Sequence, residues 1–180
     1  MMYKTHSVAA IVATTAIMPT LNTLNLINNT EVLSVGLVFA GGLLGALLPD
    51  IDSPNSKISR IIRKALTGNP TSTKNIINHR RAPHMPLVWA VIFLALLYVT
   101  KNPITVAFIY GVAVGVYSHL AIDMLNPAGI PLLGPINRRK FSIFCIKANS
   151  TPEKIFAGLL VVLEIYIVFV LKIQVLNLHT

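Results

Sequence analysis

Long apolar blocks without charged residues are the feature that most restricts what this chain can fold into. Across 180 residues, 54% are hydrophobic and 12% are charged, which is about half the charged share of a soluble domain. The blocks are continuous and do not alternate between an apolar and a polar face, as an amphipathic surface helix would. The pattern predicts an all-α fold, a polytopic membrane bundle that residues 1–180 form as a single domain.

Five of these blocks are candidate membrane spans of unequal strength. A hydrocarbon core of about 30 Å requires about 20 helical residues. The fourth block has full length, the third is short, and the first is interrupted by Pro19. Thr151 is the predicted N-cap of the fifth helix, with Pro152 at the first helical position. The predicted spans are Ser7–Ile27, Val32–Leu48, Pro86–Thr100, Pro103–Ile122 and Ile155–Leu171.

Positive charge is concentrated on one side of this predicted topology. The formal net charge is +9, which in a soluble protein would suggest nucleic acid as a partner. If all five segments span, every Lys and Arg except Lys101 and Lys172 falls on the side that holds the N-terminus. By the positive-inside rule that side is cytoplasmic. The chain is therefore predicted to be a multi-pass inner-membrane protein with a cytoplasmic N-terminus, and nucleic acid is not an expected partner.

The cytoplasmic segment between the second and third spans contains a short amphipathic pattern. From Ser56 to Leu66, isoleucines recur at helical spacing with Lys and Arg between them. This predicts a helix lying on the anionic inner leaflet, so membrane lipids are expected partners. A solvated connector is an equally good interpretation of the same residues.

Histidine and aspartate side chains fall at helix ends that this topology brings to one side. One histidine precedes the first span, two aspartates follow the second, two histidines precede the third, and one residue of each kind closes the fourth. Neither hydropathy nor loop charge used these residues, so their convergence is an independent result. The candidate ligands are His6, Asp50, Asp52, His79, His84, His119 and Asp123.

The local spacing of these residues suits a metal ion. His119 and Asp123 are four apart and share one helix face. After Pro49, an extended Asp50-x-Asp52 segment would direct both carboxylates the same way. Imidazole and carboxylate without thiolate suit zinc, manganese, iron or nickel. We expect one or two divalent ions, with zinc as the leading candidate and manganese or iron as alternatives. Each residue taken singly could instead be an ordinary polar group at a helix end.

Glu164 is a separate ionisable residue, predicted to lie about 13 Å below the membrane boundary by helical rise. At that depth it is not expected to reach the metal. It could be protonated, or could bond a neighbouring helix.

An ordered set of short motifs resembles a known bacterial family. The motifs are Thr5-His6, Leu48–Ser53, His79-Arg80, Pro83-His84, Gly115, His119, Asp123 and the turn Asn126–Ile130. The set is similar to that of inner-membrane metal-dependent hydrolases labelled LexA-binding, and the resemblance spans nearly residues 5–137. The resemblance implies a helical membrane fold and a metal site more firmly than it implies a reaction.

The function we predict from these features is a membrane-bound metal-dependent hydrolase. A bound ion would activate water near neutral pH. Asp52 would serve as general base or as a ligand to a second ion, and Arg80 would hold an anionic oxygen. Arg138 and Arg139 would recruit the substrate, a phosphate ester or another anionic, lipid-like molecule. The alternatives are a divalent-metal transporter and a non-catalytic regulator in which the metal only joins helix ends.

Overall fold

A computed structural model describes residues 2–26, 32–53, 56, 59–61, 64–65 and 82–177. The side chains of residues 52 and 173–177 are outside this description. The α-helices are α1 (Tyr3–Thr23), α2 (Val32–Gly45), α3 (Pro86–Val99), α4 (Pro103–Asp123) and α5 (Thr151–Asn177), with 3-10 helices at Leu48–Asp52 and Ala82–His84. The described part contains a single isolated β-bridge, between Ile130 and Phe141. The predicted all-α class is therefore confirmed.

The first helix lies four residues closer to the N-terminus than its apolar block predicts. It begins at Tyr3, so His6 lies inside its first turns and does not precede the helix. It ends where Asn25 adopts a left-handed conformation (φ 54°) and the Leu26 N–H donates to the carbonyl of Leu21. This is the geometry of a Schellman end, which asparagine tolerates better than other non-glycine residues.

Side chains that accept hydrogen bonds from backbone N–H groups of the first turn determine where α4 and α5 begin. The side chain of Asn102 accepts hydrogen bonds from the first turn of α4, and Pro103 occupies the first helical position. For α5 the prediction of Thr151 as N-cap is wrong by one residue. The helix already includes Thr151, and the hydroxyl of Ser150 accepts the Glu153 N–H at 3.4 Å. Serine followed three residues later by glutamate is a capping-box pattern.

Helices α2 and α4 pack with their backbones in contact along a seam of glycines. A Cβ built on Gly115 would collide with the carbonyl oxygen of Gly42, and one on Gly111 with that of Val38. Built on Gly41 or Gly45, a Cβ would meet the backbone of α4. Small residues four apart allow the two backbones to approach closely. In lipid the hydrophobic effect does not drive helices together, so they associate through close packing of this kind.

Helix α5 attaches to the bundle through α1, at two carboxylates. Glu153 is fully buried and accepts hydrogen bonds from the backbone N–H of Met2 and the hydroxyl of Thr5. Three turns further along, Glu164 accepts from the hydroxyl of Thr15 at 2.7 Å. Of the two roles considered for Glu164, bonding to a neighbouring helix is the one observed.

The outer surface of the bundle has the apolar character that lipid requires. Among the described residues, α4 and the segment Thr151–Lys172 of α5 are long and apolar enough to cross a membrane, and α2 and α3 are shorter apolar helices. On α5, Leu159, Val162 and Ile165 are each more than 60% exposed. Such a surface is suited to a bilayer and not to water, so the chain forms a helical membrane bundle.

The predicted amphipathic helix is described only in part. Residues 59–61 and 64–65 are helical, Ser59 is buried, and its hydroxyl donates to the carbonyl of Ile51. Ile61 is 65% exposed. The other apolar positions of the pattern, Ile58, Ile62 and Leu66, lie outside the described residues.

Candidate metal centre

The start of α1, the segment after α2, the segment before α3 and the end of α4 meet at one end of the bundle. The structure brings five of the seven candidate ligands together there: His6, Asp50, His84, His119 and Asp123. His79 and Arg80 lie outside the described residues, as does the side chain of Asp52. Glu164, which was not expected to reach the metal, bonds to Thr15 of α1 and not to a residue of the cluster.

His119 is fixed by the glycine seam. Its Nδ1 lies 2.6 Å from the carbonyl oxygen of Ala46, directly after the last glycine of α2. A carbonyl can only accept, so Nδ1 carries a proton, and in the neutral imidazole Nε2 then presents its lone pair to the cluster. A backbone carbonyl that selects the tautomer in this way is typical of metal-binding histidines.

His84 is positioned by the turn that leads into α3. It ends a 3-10 helix, and Pro86 begins α3 two residues later. The indole N–H of Trp89 donates to the carbonyl of Pro83 at 2.7 Å, which holds this turn against the first turns of α3. The imidazole is 4% exposed.

Asp50 reaches the cluster from a conformation that the sequence did not predict. Leu48–Asp52 is a 3-10 helix with the buried Pro49 near its start, so the expected extended Asp50-x-Asp52 segment is wrong. With about three residues per turn, side chains two apart point in different directions. The position of Asp50 in the cluster therefore does not imply that Asp52 also lies there.

The separations in the cluster match a metal coordination shell. The Nε2 atom of His84 lies 3.8 Å from Oδ1 of Asp50 and 3.5 Å from Oδ2 of Asp123. The Nε2 atom of His119 lies 3.9 and 3.5 Å from the same two oxygens. Hydrogen bonds of this type span about 2.7–3.2 Å. Two ligands about 2.1 Å from one tetrahedral ion stand about 3.4 Å apart.

His6 completes the cluster from the side of α1. Its ring stacks on that of His119 with centroids 3.8 Å apart and planes 12° from parallel. Its Nε2 lies 3.5 Å from Oδ1 of Asp123, the carboxylate oxygen not facing His84 and His119. His6 can thus orient Asp123, or bind a second ion.

The donor set fits a cation on electrostatic grounds. When the ring of His119 is neutral, the lone pair of Nε2 faces two carboxylates, so acceptor groups face one another. Within the described part of the chain, neither this nitrogen nor the buried Nδ1 of His6 forms a hydrogen bond. Buried polar atoms of this kind need a partner, and two carboxylates that are only partly exposed to water favour a cation between them. The groups His6–His119–Asp123 and Asp50–His84–His119 can therefore hold a metal ion.

A cleft opens beside the cluster and contains functional candidates that the sequence analysis missed. His84 and Asp123 line it together with Lys140, Asn126 and Gly129. Gly129 has φ +56°, and a Cβ there would collide with the carbonyl of Phe141, so the turn requires glycine. Lys140 was counted only as one of many basic residues. Its place was not predictable because the Ile130–Phe141 bridge brings it back to the cleft.

Comparisons with known proteins agree with this description. The sequence profile of a family described as YdjM inner membrane protein matches residues 1–177. The chain is 31% identical over 128 residues to the uncharacterized protein YvsG of Bacillus subtilis, covering 68% of this chain and 73% of that one. It is 34% identical over 106 residues to the inner membrane protein YdjM of Escherichia coli, covering 57% of this chain and 51% of the relative. No solved structure gives a significant match.

Proposed function

The chain belongs to the YdjM inner membrane protein family, and on that premise we propose that it is a metal-dependent hydrolase at the cytoplasmic boundary of the inner membrane. The observation that carries the proposal is the meeting of three imidazoles and two carboxylates, from four separate chain segments, at the separations of metal ligands. The name of the Escherichia coli relative gives a location and no activity, and the Bacillus subtilis relative is uncharacterized.

The proposed topology has five spans and a cytoplasmic N-terminus. Helices α1, α3 and α5 begin at the end of the bundle that holds the cluster, and α2 and α4 end there. In the sequence, every Lys and Arg except Lys101 and Lys172 belongs to the first turn of α1 or α5 or to the segment between α2 and α3 or between α4 and α5. The positive-inside rule then assigns the cluster to the cytoplasmic face.

The proposed ligands of a first ion are Nε2 of His84 and His119 with one oxygen each of Asp50 and Asp123. The four separations between these imidazole nitrogens and carboxylate oxygens are 3.5–3.9 Å. Their chemistry suits zinc, with manganese or iron as alternatives. His6 would orient Asp123 as an outer-shell group, or bind a second ion with Asp123.

The chemistry of the site follows from its charges and its position. A bound divalent ion would supply the Lewis acidity that activates water and polarises a phosphoryl group. Lys140, at the edge of the cleft, would bind an anionic oxygen of the substrate. Asp52 as general base and Arg80 as a second anion-binding group remain part of the proposal. A cleft of this kind at a membrane boundary favours a phosphate ester on a lipid-like molecule.

The experiment begins with protein purified in detergent and analysed for metals. Stripped protein should hydrolyse neither a generic phosphodiester nor phospholipid, and addition of zinc, manganese or iron should restore activity. The variant His119→Ala should lose metal and activity, whereas His179→Ala, a histidine of the C-terminal tail, should retain both. Turnover without metal, or turnover that persists in His119→Ala, would refute the proposal.

A purely structural metal is the alternative that the same geometry supports. Four protein ligands can close a tetrahedral shell, as they do in structural zinc sites. In that case the metal would stabilise the bundle, and the cell would tolerate a ligand substitution that preserves folding. Metal-dependent stability without metal-dependent turnover on any phosphate ester would favour this alternative.

A further inference from the structure

The segment between α4 and α5 exposes apolar and basic side chains together. We call residues 130–147 the α4–α5 loop. Five of its large apolar side chains are exposed: the exposed fraction is 59% for Leu133, 87% for Ile136, 49% for Phe141, 51% for Ile143 and 60% for Phe144. Its basic residues are Arg138, Arg139, Lys140 and Lys147, and no Asp or Glu occurs from residue 124 to residue 152. A water-facing loop of a folded protein does not normally present five large apolar side chains.

Hydrogen bonds hold this loop against the end of α4. The Ile143 N–H donates to the carbonyl of Met124 at 2.8 Å, and the Ile146 N–H donates to that of Leu125 at 3.0 Å. Paired hydrogen bonds between Ile130 and Phe141 close the first part of the loop. The backbone of the loop therefore lies beside a membrane helix end.

From this placement we propose that the α4–α5 loop inserts into the headgroup region of the membrane and binds anionic phospholipid. Apolar side chains enter the boundary between headgroups and acyl chains, while basic residues pair with the phosphates. An anionic leaflet attracts each nearby Lys or Arg. Nucleic acid or an acidic protein would satisfy the charges and leave the apolar side chains in water, which is why lipid is the partner that fits.

The loop also connects the membrane surface to the cleft. Lys140 belongs to the loop and lines the cleft beside His84 and Asp123. A headgroup held by the loop would therefore adjoin the candidate metal centre. This consequence rests on the proposed function, but the lipid binding itself does not.

The single cysteine of the chain provides a direct probe. Cys145 is exposed and lies within the loop. Labelled there with an environment-sensitive fluorophore, the protein is reconstituted into nanodiscs of neutral phospholipid with a fixed fraction of brominated phosphatidylglycerol or brominated phosphatidylcholine. We expect the label to be quenched in both, and more strongly by phosphatidylglycerol. Both leaflets have the same composition, so the result does not depend on the orientation of the protein.

Charge-neutral variants test the basis of the preference. In Arg138→Gln/Arg139→Gln the preference for phosphatidylglycerol should fall roughly fivefold for each charge removed, while Lys140 stays in the cleft. The matched control Lys101→Gln/Lys172→Gln removes two charges at the opposite end and should leave the preference unchanged. Phe144→Ser should weaken quenching by both lipids.

Three results would overturn the proposal. The first is a label that neither brominated lipid quenches, which would place the loop in water. The second is equal quenching by the two lipids. The third is a preference that persists in an Arg138→Gln/Arg139→Gln variant with unchanged thermal stability. Each of these can occur whether or not the protein is a hydrolase.

Discussion

The two longest apolar helices, α4 and α5, have opposite roles in the bundle. Both are long and apolar enough to cross a membrane, and α5 is the more apolar of the two. In the apolar 18-residue stretch of each helix, 44% of the residues of α4 are buried inside the bundle and none of those of α5 is. In a bilayer, apolar composition indicates that a helix can cross the membrane. It does not indicate which helix forms the core of the bundle.

What distinguishes the two helices is their small and polar residues. Lipid is as apolar as leucine, so helices associate in it through close backbone packing and polar contacts. In α4, Gly111 and Gly115 admit the backbone of α2, and His119 bonds to Ala46 across the same seam. In α5, Glu153 and Glu164 accept hydrogen bonds from α1.

The strongest test of this contrast is one substitution made in each helix. In Gly115→Leu the new side chain would overlap the carbonyl of Gly42, and either α2 and α4 must separate or the backbone must shift. Overpacking costs about 1–3 kcal/mol in adaptable cores and more where backbone is the obstacle. We expect a large fall in the thermal unfolding temperature in detergent, together with loss of metal binding.

Gly158→Leu is the matched control in α5, because a Cβ at Gly158 meets nothing within 4 Å. Its unfolding temperature should not change measurably. If the two leucine variants were equally stable, the glycine seam would not be what makes α4 the core helix.

The second test is removal of the metal. The candidate ligands come from four chain segments around α1 and α4, so an ion bound there stabilises only the assembled bundle. At a free metal concentration about 1,000 times Kd, binding contributes about 4 kcal/mol. A chelator should therefore lower the unfolding temperature, and a thermal melt with and without zinc measures the effect.

His119→Ala should abolish this dependence on metal, whereas Glu164→Gln, on α5, should keep it. A Glu164→Gln protein that no longer responds to metal would mean that α5 takes part in the site. That result would contradict the distinction between core helices that hold the ligands and a peripheral helix, α5, that does not.

The third test concerns Glu153, where the peripheral helix touches the site. Its buried carboxylate accepts from Met2 and Thr5, and the next residue of α1 is His6. Hydrogen bonds to a charged group contribute about 1.5–3 kcal/mol each. Glu153→Gln keeps the shape and removes the charge, and we expect it to destabilise the protein by about 2 kcal/mol in thermal or denaturant unfolding.

Metal affinity should fall modestly in Glu153→Gln, because the turn that carries His6 loosens while the other ligands remain. An affinity as low as that of His119→Ala would instead assign Glu153 to the metal shell. Unchanged stability would show that α1 and α5 do not depend on this contact.

The sequence predicts the convergence of the site better than it predicts the local geometry. Apolar blocks and turn residues placed His84, His119 and Asp123 at helix ends, and alternating topology brought those ends together. Asp50 was expected in the right place, but the segment that carries it is a 3-10 helix and is not extended. The sequence does not distinguish the two, because a proline after a helix is compatible with either conformation. His6 entered α1 because polar residues continued the helix beyond its apolar block.

Other features depend on contacts between segments that are distant in the chain. The glycine seam pairs Gly42 with Gly115 across 73 residues, and hydropathy assigns glycine no partner. Lys140 reaches the cleft only because the α4–α5 loop folds back at Ile130. A search for small residues four apart on two apolar blocks would have found the seam, and no local pattern would have found the lysine.

The smallest expected effect belongs to the Thr15–Glu164 contact, which tests whether α5 is held by polar bonds at depth. The hydroxyl of Thr15 donates to Oε1 of Glu164 at 2.7 Å, and the buried Oε2 has no hydrogen-bond partner among the described residues. Hydrogen bonds between membrane helices average about 0.6 kcal/mol in double-mutant cycles, with a maximum near 1.7 kcal/mol. Unfolding of Thr15→Val, Glu164→Gln and the double variant should give a coupling energy in this range. A coupling near zero, with both single variants as stable as the parent, would mean that Glu164 does not hold α5 at depth, and the polar attachment of α5 would then rest on Glu153 alone.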